Sequence, residues 1–599
     1  MQPILDKGKR IATLHSPYAS SEVGVHRFTG RETLSAPFSF QVEIYSTLDA
    51  INFDDALGSN VTVEVQRYDG STRAFDGILT GAQWLGKRDA YYFYRMELRP
   101  WFWLLTKTTD CRLFHNKTVV EIIEQVFGDH GFAKFRKALN ESYPTIEYCV
   151  QYRETDFAFV SRLMEKFGIY YMFEHSIGSH EMVLCDSKAS HKPLPGAAQL
   201  PYIALVGQDR GDKEHVSEWV HNRTFNTGKV AYNDYDFEKP QSDLVATSEG
   251  DAAYSESKLE FYDYPGKYVE QSKGEKFAKV KLQAEQADDH TRSAAGDAVG
   301  IFPGGLFTLS GHPSGANNIE YLVTGATHDL SVEIFRSGAE GEFGNPYRGA
   351  YEVLPASIPF RAPLTTPLPK IAGAQTAEVV GEGEIDVDEY GRILVKFHWD
   401  RDEQDSCRIR VGQLWSGRSW GGIYIPRIGQ EVIVQFLEGD PDQPICVGTV
   451  YNGDNSVPYD LPANKTIGGI KSNSTTGGDG YNEIYFEDDK GNEEICLHAE
   501  RDYNLVIERD QTYHIKRDRT EQIDRDWINK TDRDIKFEAD RLIELKVFQS
   551  VIRLTPEGIT IDAPTIKVTG MMSVSVEAPM TDVKGTAMLI LKGGVVLIN

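Results

Sequence analysis

The sequence predicts a mainly β chain: β-barrel subdomains with inserted helices, then an OB-type barrel, then a C-terminal intertwined β-helix built by three chains. Three observations carry this. Apolar residues alternate with period two through most of the chain, turn signals cut those runs into short strands, and from residue 501 an Arg-Asp pair returns every eight residues. At 599 residues the chain has room for three or more domains of about 100–200 residues each.

Residues 1–365 read as one large β region with barrel subdomains and helices. Strand alternation is clear in Phe38–Ile44, Val61–Val65 and Tyr91–Leu98. Two segments switch to the helical period. Thr118–Phe127 sets Val119, Ile122, Ile123 and Val126 on one stripe and ends at Gly128. Phe157–Phe167 aligns Phe159, Val160, Leu163, Met164 and Phe167, with Thr155 placed to cap its start and Gly168 to stop it.

Prolines 363, 367 and 369 mark a semi-rigid stretch, and residues 366–380 are expected as a connector. Residues 381–460 hold short strands at Gly391–Trp399, Arg408–Val411 and Glu431–Leu437, separated by Asp388-Glu389-Tyr390-Gly391 and Glu438-Gly439-Asp440-Pro441. That is enough chain for a five-stranded barrel of the oligonucleotide/oligosaccharide-binding type. The Gly-rich residues 461–480 are expected as a loop; no Lys-Ser or Lys-Thr follows in the order a phosphate loop needs.

Residues 481–599 are expected as the intertwined β-helix. The pairs Arg501-Asp502, Arg509-Asp510, Arg517-Asp518, Arg525-Asp526 and Arg533-Asp534 keep an eight-residue period. Eight is even, so strand alternation stays in phase, whereas an α-helix drifts by about 80°. Leu505, Ile507, Tyr513, Ile515 and Ile523 then share one face, while the Arg-Asp pairs mark exposed corners that set register. Eight extended residues reach roughly 26 Å, too little for one chain to close a three-faced coil. Three chains about one axis close it and leave no lateral edge strand. The alternation runs on through Ile559-Thr560-Ile561, Ile566-Lys567-Val568 and Met572–Val576. The final segment, residues 587–599, carries one charged side chain, Lys592. Its Leu589, Leu591, Val595, Val596, Leu597 and Ile598 would form a platform at the end of the rod, where the next layer is missing. Gly593 and Gly594 leave a self-capping fold-back as the alternative.

Composition excludes some functions. The formal charge is -26, which disfavours general nucleic-acid binding, since phosphate recognition wants a cationic face. The six cysteines, at 111, 149, 185, 407, 446 and 496, form no CxxC and are expected reduced and mostly buried, as in a chain folded in the cytosol. Met1–Arg10 lacks the apolar run of a signal peptide, and no segment is apolar enough to span a membrane. No cofactor motif and no HExxH metal motif is present.

Ordered motifs cover nearly the whole chain. They include Phe28-Thr29-Gly30-Arg31-Glu32, Cys111-Arg112-Leu113-Phe114 and Gln151-Tyr152-Arg153-Glu154-Thr155-Asp156-Phe157. The barrel adds Val395–Asp400, Trp420-Gly421, Pro426–Val432 and Phe436–Asp442. With these the chain resembles the valine-glycine repeat protein G family of type VI secretion systems, similar to a fusion of a phage tail hub and a tail spike. The resemblance implies a homotrimer seated on a hexameric inner-tube protein, assembled in the cytoplasm and then translocated into a target cell. It also implies a proline-alanine-alanine-arginine repeat protein at the tip, effector cargo with a possible adaptor, and transient contact with the target membrane. Rod-like sequence runs to Asn599, so a toxin is expected as separate cargo.

Two other classes stay open on sequence. A cell-wall hydrolase would need an acid and a base about 5–9.5 Å apart, for which His398 with Asp400, His498 with Glu500, and Glu438 with Asp440 are the available pairs. Each is also what a turn or surface contact provides. Gly311-His312-Pro313-Ser314-Gly315 reads as a turn, and Tyr91–Tyr94 and Trp101–Trp103 as packing aromatics rather than a stacking platform. A receptor-binding tail fibre would share the trimeric rod.

Overall fold

The computed structural model describes residues 11–18, 22–204, 213–252, 254–332 and 346–598; the signal-peptide reading of residues 1–10 lies outside the described residues. The chain divides into two compact units, Met1–Arg501 and Asp502–Asn599.

In the first unit β1 (Ala12–His15), β2 (Val23–Thr33), β3 (Ala36–Ser46), β4 (Asn60–Gln66), β5 (Thr72–Arg88) and β6 (Tyr91–Arg99) lie in the order β1-β4-β5-β6-β3-β2. From β2 the sheet continues into Glu320–Ser331, Tyr347–Pro355, Arg292–Gly296 and Val216–His221. The junction is antiparallel and brings Gly30 opposite His328. Alternation decides what turns inward: Phe38, Phe40, Val42 and Ile44 of β3 are buried. Tyr94, Trp101 and Phe102 join the same core and Phe93 is buried beside them in sequence, so these aromatics pack rather than present a stacking face.

Both expected helices form. In Val119–Gly128, Thr118 Oγ1 accepts from the Glu121 amide at 3.2 Å and the Glu121 carboxylate accepts from the Thr118 amide at 2.7 Å, a reciprocal cap. Asp156–Phe167 begins at Thr155, whose hydroxyl accepts from the Ala158 amide, and stops at Gly168 with φ 72°. A third helix, Gln271–Glu285, has no sequence expectation behind it. Its lysine-rich stripe buries only Gly274, Ala278, Leu282 and Ala284, too small a face to stand out as a period.

The barrel is a five-stranded sheet ordered Leu394–Phe397, Gln375–Val380, Glu431–Phe436, Pro444–Val450, Arg410–Val411. Its ends meet: Ile393 and Ile409 exchange amide-to-carbonyl bonds of 3.0 and 2.8 Å. Ala377, Val379, Val395, Phe397, Val432 and Val434 fill the interior. Two expectations need correction. Gln375–Val380 is a barrel strand rather than the end of a connector, because Ala377 and Val379 alternate inward once the prolines are passed. Within the Gly-rich residues, Ile467–Lys471 is a strand paired with Glu483–Glu487. There Gly469 permits the approach, since a Cβ would sit 2.6 Å from the Tyr459 hydroxyl and 2.7 Å from the Ile484 carbonyl oxygen.

The second unit differs in kind. Backbone bends fall at 508–509, 516–517, 524–525, 532–533 and 540–541, each a charged residue followed by Arg, with extended chain between them. The period therefore runs one step past the last Arg-Asp pair, to Arg541, where Leu542 replaces Asp. Among the described residues of this unit, strand pairing within the chain is confined to Ile543–Val547, Ser550–Thr555 and Gly558–Asp562, an antiparallel sheet. That fold-back was not expected: Ile559-Thr560-Ile561 pairs inside its own chain rather than continuing the eight-residue layers.

Candidate functional site

The segment 501–542 is exposed at every residue. Leu505, Ile507, Tyr513, Ile515 and Ile523 are 55%, 42%, 61%, 48% and 50% exposed, large apolar side chains that a soluble surface does not normally leave in a row. Arg509 Nε lies 3.1 Å from Asp510 Oδ2, and both side chains face water, at 91% and 78% exposed. The end segment repeats the pattern: Leu589, Leu591, Val595, Val596, Leu597 and Ile598 are all exposed. Layers of this shape satisfy their backbone and cover their apolar face only against other chains.

The acid-base candidates resolve into local structure. The strand ends at Phe397, whose carbonyl accepts from the Asp400 amide at 3.1 Å, so His398 and Asp400 occupy a turn and do not share a strand face. Asp400 is buried and accepts from the amides of Asp402 and Gln404, while exposed His398 meets Thr376 Oγ1. His498 Nδ1 is 3.0 Å from the Tyr481 carbonyl, and the Glu500 carboxylate accepts from the Tyr481 amide. Glu438 holds φ 54° in a tight turn. The His312 ring accepts from the Ser314 amide, again a turn. Two small clefts open on Tyr170 and His191, and on Glu32 and Met172; neither is lined by any of these pairs. Among the described residues no group of His, Cys, Asp or Glu is arranged to hold a metal, and all six cysteines are free thiols.

Sequence reasoning missed the joint between barrel and helical region. Asp442 Oδ1 accepts from the Val150 amide at 2.7 Å, and Lys267 Nζ comes 2.7 Å from Asp440 Oδ2. Nearby, Arg162 Nη2 meets Glu154 Oε1 at 2.7 Å, both buried. Burial and then the neighbouring Asp440 charge push the Asp442 carboxyl up, and burial draws the Lys166 ammonium down to about 8. Tyr152 and Trp399 meet edge to face with centroids 5.6 Å apart, and Trp399 Nε1 donates to Gln375. Asp442 and Val150 stand 292 residues apart, a separation at which no local pattern signals contact. The joint is tight and polar, and it holds the barrel against the strand Thr145–Thr155 and the helix that follows.

Comparison with known proteins fits this geometry. Residues 31–333 match the family described as phage tail baseplate hub. Residues 376–451 match the type VI secretion system/phage-baseplate injector OB domain, and residues 468–578 the bacteriophage T4 gp5 C-terminal trimerisation domain. The chain is 43% identical over 506 residues to the type VI secretion system spike protein VgrG1b of Pseudomonas aeruginosa, covering 83% of this chain and 68% of that one. Against VgrG1a of the same organism it is 41% identical, covering 83% and 78%. Among solved structures it resembles the E. coli c3393 protein, a type VI secretion component, with TM-score 0.53 at 20% identity over 73% of this chain and 99% of that one. Hub, barrel and trimerisation segments in this order, with relatives this similar over most of their length, mean that the chain belongs to the VgrG family of type VI secretion system spike proteins.

Proposed function

We propose that three copies of this chain wind residues 481–599 about a common axis as a non-catalytic spike. One observation carries the reading: the eight-residue layers leave Leu505, Tyr513 and Ile515 exposed and, up to residue 542, have no strand partner in their own chain, within a segment that matches a trimerisation domain. In this reading residues 1–365 form the hub-like base seated on a hexameric inner-tube protein. The barrel follows, beginning with the strand at Gln375 and running to residue 460, and the spike begins at residue 481. Leu505, Ile507, Tyr513, Ile515 and Ile523 become its core, and the Arg-Asp pairs from Arg501 to Asp534 set strand register. Leu589, Leu591, Val595, Val596, Leu597 and Ile598 become the platform for a proline-alanine-alanine-arginine repeat tip protein. Assembly occurs in the cytoplasm, and the spike, its tip and effector cargo, with any adaptor, then cross into a target cell. Static light scattering on the full chain tests the first step. A mass near three times 67.3 kDa is expected, and a folded monomer under dilute native conditions overturns the reading. Turnover of peptidoglycan by the pure protein would contradict the non-catalytic assignment.

A further inference from the structure

One ordered arm of the barrel remains without a partner. Residues 413–424 leave the barrel as a tight hairpin: Ser416 pairs with Gly421 and Gly417 with Trp420 across the two-residue turn Arg418-Ser419, where Ser419 takes φ 63°. Gln413 clamps its neck, accepting from the Tyr424 amide at 2.9 Å through Oε1 and donating to the Tyr424 carbonyl at 3.1 Å through Nε2. The rings of Trp415 and Trp420 brace one another edge to face at 4.8 Å. Gly417 makes room, since a Cβ there would lie 2.3 Å from the Trp420 ring. So the arm is built to hold a shape.

What it holds out is apolar. Leu414 is 89% exposed, Trp415 66%, Trp420 56%, Ile423 74% and Tyr424 53%. Large aromatic side chains carry about 150–250 Å² each, so these exposures leave several hundred Å² of clustered apolar surface on a twelve-residue arm, the size and composition of a partner-binding surface.

The base of the arm identifies the partner. Arg427, three residues past it, donates through Nη2 to the Asn473 carbonyl at 2.8 Å and pairs through Nη1 with Glu384 at 2.7 Å. The other Glu384 oxygen accepts from the amide and the hydroxyl of Thr476, each at 2.7 Å. Asn473 and Thr476 lie inside the segment 468–578 that matches a trimerisation domain. The arm is thus continuous with the segment through which copies of the chain associate. Arg418 at its turn also suits a neighbour whose formal charge is -26.

We propose that the hairpin 413–424 is an intersubunit arm whose Leu414, Trp415, Trp420 and Ile423 pack onto the barrel region of a second copy of this chain. The proposal rests on the trimeric reading and adds a barrel-level contact to the rod-level one. Its test uses the full-length protein with photo-reactive p-benzoylphenylalanine in place of Leu414, or separately of Ile423, both exposed positions where folding is not at stake. Irradiation of the light-scattering-verified trimer should give a denaturation-resistant adduct of two chains, its crosslinked peptide lying outside residues 401–430. In the unsubstituted trimer, hydroxyl-radical oxidation of Trp415 and Trp420 should be at least about five-fold slower than in the unfolded protein, as for buried interface aromatics. A trimer showing only intrachain adducts, or oxidation of both tryptophans at the unfolded rate, overturns the arm and leaves the trimer standing. A monomer overturns both.

Discussion

Glu32 sits at the centre of a buried charged cluster in the hub. Buried between β2 and its neighbours, it takes Arg73 Nη2 at 2.5 Å, His175 Nε2 at 3.1 Å and His328 Nε2 at 2.8 Å. Burial alone would raise its carboxyl, but Arg73 and the two histidine hydrogen bonds outweigh that and hold it well below the usual range. His328 is driven the other way by burial, down to about 4, and its Nδ1 meets the Tyr347 hydroxyl at 2.6 Å. Both shifts have the same consequence. A depressed histidine is neutral in the folded hub while the unfolded chain takes up a proton below the ordinary 6.5, so stability present above that value is lost as pH falls toward 4. Depressed Glu32 adds a loss at still lower pH. The hub's denaturant midpoint should therefore drop between pH 7 and pH 5, by an amount tied to a shift on the order of 3 kcal/mol for His328 across its full range. His328→Gln, which no longer titrates, should shrink that drop; an identical drop in the variant would sink the assignment. Gly168 makes a second prediction at this scale. With φ at 72°, any Cβ would lie 2.9 Å from Val280 Cγ2 and 3.2 Å from Arg361 Nε, so Gly168→Ala should cost about 1–3 kcal/mol. An unchanged midpoint in urea would refute it.

At the scale of the element, the rod layer is the instructive case. An exposed Arg-Asp pair such as Arg509 with Asp510 contributes about 0–1 kcal/mol, so its value lies in choosing register. Ile515 belongs to the face that three chains would share, and a carboxylate there would put three unpaired charges into one narrow layer. Ile515→Asp should thus dissociate the trimer or lower its melting temperature far more than Arg509→Ala. Equal melting temperatures for the two proteins would count against the facing assigned here. Helix ends were readable residue by residue, because Thr155 and Gly168 act within one turn of the helix they bound. The strand Gln375–Val380 was not, because prolines a few residues upstream signal a connector, while its membership in the barrel is set by partners at 394–397 and 431–434.

For the whole molecule, the proposed tip platform is what a truncation tests. Removing residues 587–599 takes away the exposed apolar end but leaves the repeat and the sheet Ile543–Asp562 untouched. The shortened chain should still form trimers and should lose binding to the proposed tip protein, measured by co-purification. Undiminished binding would place that attachment elsewhere.

The sequence by itself determined the class and order of the parts: period-two strands, two capped helices, a five-stranded barrel and an eight-residue repeat. All of these are written in spacings of a few residues, and local sterics and burial read such spacings directly. The tertiary structure alone decided which distant groups meet. It carried Asp442 to Val150, closed the barrel through Ile393 and Ile409, and gathered Glu32, Arg73, His175 and His328 into one buried cluster. It also placed the candidate residues His398 and Asp400 in a turn, each with other partners. The reason is physical. A contact between residues hundreds of positions apart is set by how the sheets pack, and packing leaves no period in the sequence to mark it.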